Sequence, residues 1–175
     1  MSPAHAAPVP AASAASATRG VPHGERFPRA LRLKRRRLIR PLFEREGSGV
    51  GRVSAGVVQL RWRVVPRDEA GADIPVQVGF APGRRARTHV GRNRLRRLMR
   101  EVWRRHHTPL LARMAARRAE TLTVFVVFRG REETAAADLP RDLPAAVARL
   151  DRRIAEGPRP EGPPPGAVSP AADAA

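Results

Sequence analysis

Residues Gly91 to Arg105 combine an apolar repeat at helical spacing with arginines at most of the remaining positions, and few folds can absorb such a segment. Leu95, Leu98, Met99, Val102 and Trp103 fall at i, i+3, i+4, i+7 and i+8, the period of a helical stripe that faces a core. At about 100° per residue, Asn93, Arg97, Arg100 and Arg104 project from the opposite side, with Arg92 and Arg96 along one flank. Arg84, Arg85 and Arg87 extend the positive field into the preceding loop. Glu101 is the only acid between Arg84 and Arg105, so self-repulsion is left largely uncompensated. An ordinary solvated face mixes its signs; a face of one sign asks for a polyanion.

The whole chain points the same way. Lys and Arg number 34 against 16 Asp and Glu, a formal net charge of +18, which makes nucleic acid the expected partner. Cysteine is absent, which excludes disulfides, thiolate metal sites and a thiol nucleophile. No apolar run approaches the roughly 20 residues of a membrane span, so no membrane partner is expected and a cytoplasmic location is. Residues 1–25 are rich in Ala, Pro and Ser, without the basic start and apolar core of an export signal. Residues 157–175 are rich in Pro and Ala; both ends are expected to be disordered tails. One domain with a modest core is expected over residues 26–156.

Within it, Leu38, Ile39, Leu42 and Phe43 mark a short first helix that Pro41 must begin or kink, and the glycine and serine stretch from Gly47 to Gly51 ends it. Val58, Leu60, Trp62 and Val64 alternate with polar residues, as do Val76, Val78 and Phe80, and both runs read as strands. Residues Thr121 to Phe128 are apolar almost throughout, as in a strand covered on both faces. Leu143, Val147 and Leu150 define a closing helix, with Asp142 as its cap and Pro144 near its first position. The fold class is α+β, helices packed on a small sheet.

Catalytic chemistry finds little to stand on. His106 and His107 are adjacent, so they diverge by about 100° on a helix and read as helix-end groups facing the last carbonyls. His89 could contact phosphate or cap the arginine helix. Asp68, Glu69, Asp73, Glu132 and Glu133 read as solvated acids of turns. No spacing suggests a triad, a carboxylate pair, a metal site or a nucleotide loop, so no catalytic residue and no metal ligand are expected.

The run Val78-Gly79-Phe80, then Arg84-Arg85, then Arg92-Asn93-Arg94-Leu95-Arg96-Arg97-Leu98-Met99-Arg100-Glu101 resembles the signature of the bacterial ribonuclease P protein component. Leu33-Lys34-Arg35-Arg36 with Leu42-Phe43 and Gly47 is similar to that family's first helix and turn, and the likeness covers roughly residues 30 to 154. It implies an α-β-β-β-α-β-α order with a left-handed crossover between parallel strands, where physical reasoning alone would favour a right-handed one. It also implies a protein that assists a catalytic RNA in removing the 5′ leader of precursor tRNA. Carried onto this chain, Arg84, Arg85, Arg92, Arg94, Arg96 and Arg97 become candidates for docking the catalytic RNA. Ile39, Phe43, Asn93 and Arg100 become candidates for the leader side. Ile39 stands where the family has an aromatic, and an aliphatic side chain offers no π face for stacking. The resemblance implies no cofactor bound by the protein alone, with Mg2+ supplied through the RNA. A basic ribosome-type RNA-binding protein shares the charge without needing the arginine spacing. A self-sufficient nuclease would need acids that this chain does not cluster. DNA is not an expected partner, since the arginine helix follows a strand rather than a partner helix.

Overall fold

The computed structural model describes residues 27–44, 49–71, 73–83 and 88–157, organised around a four-stranded sheet. Its strands are β1 (Gly51–Ala55), β2 (Val58–Pro66), β3 (Val76–Pro82) and β4 (Glu120–Phe128), in the order β1-β2-β4-β3. β1 and β2 form an antiparallel hairpin that turns at Gly56, whose φ of +48° is left-handed and favours glycine. β2 pairs antiparallel with β4, and β4 parallel with β3. Leu33 N–H donates to the Val78 carbonyl at 3.0 Å and Val78 N–H to that of Leu31 at 2.8 Å, so the chain before the first helix covers the outer edge of β3.

Among the described residues five helices pack against the sheet or its edges. They are α1 (Arg36–Ile39), α2 (Arg67–Ala70), α3 (His89–His106), α4 (Thr108–Ala116) and α5 (Ala135–Glu156). A 3-10 turn at Arg40–Phe43 continues α1, with Pro41 in its first turn, where a missing N–H costs least. One sheet face, carrying Leu60, Val78, Leu122, Val124 and Val126, packs beneath α3, α4 and α5 through Leu95, Met99, Trp103, Leu110, Leu139 and Leu143. The other face is covered only in part: Leu33, Leu38 and Leu42 pack on Val65 and Ala70.

The α+β class stands, and several local expectations change. Two helices, α3 and α4, lie between β3 and β4, joined at His107 with Pro109 in the first turn of α4. The closing helix does not start at Asp142 but seven residues earlier, at Ala135. Its stripe begins with Ala135 and Leu139, and Pro140 and Pro144 lie inside it, each removing one helical N–H. Asp142 is therefore buried mid-helix, accepting from Val57 N–H at 2.9 Å and from Arg141 Nε at 2.7 Å. β4 is not covered on both faces along its length: Phe125 and Val127 are half-exposed. The turn acids are at the surface, as expected: Asp73 is 91% exposed while pairing with Arg67 at 3.0 Å, and Glu69 lies 4.0 Å from Arg63. The tail at residues 1–25, and the other beyond Gly157, lie outside the described residues. No helix among the described residues is long and apolar enough to cross a membrane.

Candidate nucleic-acid interface

The helix α3 is fixed at both ends and along one side. Thr88 caps it, its Oγ1 accepting from Gly91 N–H at 3.0 Å. At the far end His107 places Nδ1 3.0 Å from the Trp103 carbonyl and 3.1 Å from that of Arg104, with its ring stacked on Trp103. Leu95, Met99, Val102 and Trp103 are buried, Leu98 half-buried, as the apolar period requires. Gly91 is buried against α5's approach: a Cβ there would stand 2.2 Å from Oε2 of Glu132. That proximity also shows Glu132 packed against the helix rather than simply solvated.

The polar side separates into two parts. Toward the C-terminus, Glu101 binds Arg104 at 2.8 Å and Arg105 at 2.9 Å, compensating charge that the sequence pattern leaves unmatched. The hydrogen bond from Arg104, then that from Arg105 and both charges, against some desolvation, hold the Glu101 carboxyl at about 2. Toward the N-terminus, from His89 to Arg100, the helix carries no acid of its own. Arg92, Arg94 and Arg97 are exposed, and Arg94 and Arg97 have no carboxylate partner among the described residues. Asn93 links His89 (3.3 Å) to Arg96, which donates to its Oδ1 at 3.2 Å. Thus His89 orients Asn93, and the cap is Thr88. Burial first, and then the charges of Arg32, Arg97 and Arg96, hold the Arg100 guanidinium below its ordinary pKa. An open groove of about 570 Å³ runs between α3 and the start of α5, lined by Arg94, Arg97, Leu98, Glu132 and Glu133 among others.

A second cluster lies on the open sheet face. Phe43, 44% exposed, meets Phe125 edge to face at 5.0 Å between centroids. Arg61 holds its guanidinium 4.8 Å from the Phe43 centroid and donates Nη1 to the Leu42 carbonyl at 3.2 Å. Gly79 makes room for this arrangement, because a Cβ there would stand 2.5 Å from the Phe125 ring. Sequence reasoning missed Arg61 and Phe125. Their only signal was a polar position in one alternating strand and an aromatic in an apolar run.

Of the candidates read from the sequence, Arg92, Asn93, Arg94, Arg96, Arg97 and Arg100 are brought together on α3. Phe43 joins the ring cluster, and Ile39, half-buried, packs with Phe125 against the second apolar cluster. Among the described residues no hydrogen bond, ion pair or ring contact joins Ile39 or Phe43 to Asn93 or Arg100. Arg84 and Arg85 lie outside the described residues. No group of three or more His, Cys, Asp or Glu that could hold a metal ion occurs among the described residues.

A search of the curated proteins finds no match. The family model described as ribonuclease P matches residues 27–151, well over half of the chain and all of its sheet. The chain belongs to the ribonuclease P protein family.

Proposed function

We propose that the chain is the protein subunit of a ribonuclease P ribonucleoprotein, an endoribonuclease as assembled, that matures the 5′ end of tRNA in the cytoplasm. The catalytic RNA docks on the arginine face of α3, through Arg92, Arg94, Arg96 and Arg97 with support from Arg84 and Arg85. The single-stranded leader of precursor tRNA lies on the open sheet face against Phe43, with Ile39 beside it and with Asn93 and Arg100, on α3, as further leader contacts. The observation that carries the reading is the split along α3. Glu101 neutralises the C-terminal arginines, while Arg94 and Arg97 stand exposed without a carboxylate among the described residues.

No catalytic residue and no metal ligand are proposed on the protein itself. Mg2+, bound through the catalytic RNA, would activate the attacking water and stabilise the leaving oxygen, and no residue of this chain is proposed to hold it. The protein's part is positional: arginine forks neutralise and orient phosphates, and rings hold unpaired bases. A cleavage assay on precursor tRNA at low magnesium, with and without the cognate RNA, tests this. Clean 5′ maturation is expected only with both components, and maturation by RNA-free protein would refute the assignment.

A further inference from the structure

Opposite charges line the groove between α3 and α5 without closing on one another. One wall is α3, with Arg94 and Arg97 exposed; the other is the segment entering α5, with Glu132 half-buried and Glu133 exposed. Leu95 and Ala135, both buried, line the space between them. Elsewhere the chain lets such neighbours pair: Arg104 and Arg105 hold Glu101, Arg113 holds Asp151 and Arg141 holds Asp142. Here no ion pair joins either arginine to either glutamate among the described residues. α3 and α5 pack on one another beneath the groove through the main core, which holds its walls apart around about 570 Å³. Glu132 reaches the head of the groove, where only a glycine at 91 leaves room for its carboxylate.

Two carboxylates opposite the arginines would weaken a surface that served only to attract phosphates. Acids before α5 do complement the dipole of its first turn, but that leaves the facing arginines and the open space unexplained. An ionised carboxylate accepts hydrogen bonds and donates none. A ligand that fills the groove must therefore offer anionic oxygens to one wall and a donor to the other. No aromatic ring occurs among the described residues lining the groove, so it has no platform for a splayed base. A sugar–phosphate backbone fits better. RNA carries both groups along that backbone, its phosphates and the 2′-hydroxyl, and DNA lacks the second.

We propose that Glu132 and Glu133 accept hydrogen bonds from 2′-hydroxyls of the catalytic RNA while Arg94 and Arg97, across the groove, hold its phosphates, so that the acids make this face selective for RNA. The proposal rests on reading α3 as the docking face of the catalytic RNA, and adds the group that the facing wall recognises. The test uses the full chain and the cognate catalytic RNA, transcribed with sparse, random 2′-deoxy substitutions. Wild type and the E132A/E133A variant are each bound at limiting protein, and the substituted positions are compared between bound and free RNA. With wild type a few positions should be depleted from the bound RNA by roughly tenfold, as expected for the loss of one hydrogen bond to a charged group. In the variant, depletion at one or two of these positions should vanish while the rest of the map persists. A merely structural role for the acids would lower the Tm and leave the map as it is. Should the double variant fail to fold, Glu133→Ala alone, at an exposed position, gives the same reading. An identical map for wild type and variant overturns the proposal. If wild type binds the catalytic RNA no better than an unrelated RNA of equal length, the docking reading fails instead.

Discussion

On α3 the arginines stand on a single helix whose far side is buried, whereas on the sheet Arg52, Arg61 and Phe125 form a row that three strands assemble. The helical surface is local. Its period sets which side chains face out, and Met99 and Trp103, both fully buried, hold the backbone behind them. The sheet surface is non-local, and a one-residue slip in either pairing would turn every side chain of a strand to the other face. The two surfaces also differ in chemistry. Charge alone suits an RNA met mainly through its phosphates, while rings beside charge suit unpaired bases. Substitutions on one surface should therefore leave the ligand of the other untouched, and any that fails to do so breaks the comparison.

The largest effect is expected on the helix. Each charge-assisted hydrogen bond contributes about 1.5–3 kcal/mol, so Arg94→Ala with Arg97→Ala should weaken binding of the catalytic RNA by at least roughly a hundredfold. The log–log salt slope should fall by about 0.7–0.9 for each phosphate left without its arginine. Thermal stability should hold, because both side chains lie away from the buried stripe. Binding titrations at several salt concentrations, with melting curves beside them, check this. An unchanged slope with a lowered Tm would make these arginines structural.

On the sheet, Phe43→Ala should act on precursor tRNA and spare both mature tRNA and the catalytic RNA. Base–aromatic stacking contributes about 1–3 kcal/mol per base, so binding of the precursor should weaken about tenfold. Competition binding by the assembled enzyme measures it. Equal weakening on precursor and mature tRNA would remove the leader from this face.

What the sequence revealed follows the same division. The helix α3 and strands β2 and β3 were legible because a periodic pattern within one segment names both the element and its buried face; β4 was legible as a strand from its apolar run, which does not name the face left partly open at Phe125 and Val127. The arginine candidates on α3 came with them. The start of α5 was not legible, since Pro140 and Pro144 look like boundaries, yet Ala135 and Leu139 extend the stripe past them. Arg61 and Phe125 were not legible as a pair, since only the β2–β4 register makes them partners. Gly79 could be read as part of a signature, but the Phe125 ring lying over it explains why a side chain would not fit.

Asp142 lets the sheet be disturbed without touching α3. Its carboxylate accepts from Val57 at the hairpin turn, which fixes the β1–β2 pairing that sets Arg52 opposite Arg61. Asp142→Ala leaves that N–H without its partner, at a cost of about 1–3 kcal/mol in stability, with catalytic-RNA affinity retained. The hydrogen bond from Arg141, and then that from Val57, hold the Asp142 carboxyl below the usual aspartate range despite its burial. A depressed folded-state pKa gives stability that is complete above the unfolded value, about 3.9. It is lost as pH falls through the folded value. The gap between wild type and variant in denaturant melts should therefore be full at neutral pH and close only in strong acid. A gap that closes already near pH 6 would mean another group is responsible.

The smallest effect is expected at Ile39, and it tests whether the sheet surface is short of an aromatic. Ile39 is half-buried and packs on the cluster that Phe125 also joins, so a ring there would extend the Phe43 and Phe125 pair toward α1. Its own packing limits what it can offer, since part of any larger side chain must remain in the apolar cluster. Ile39→Phe should therefore tighten precursor binding by only a few-fold, short of a full stack of about 1–3 kcal/mol, with mature tRNA unchanged. A gain of equal size on mature tRNA would show that the residue does not face the leader. No gain on either, with a Tm lowered by overpacking, would make Ile39 part of the core and leave Phe43, Phe125 and Arg61 as the complete base-contacting set.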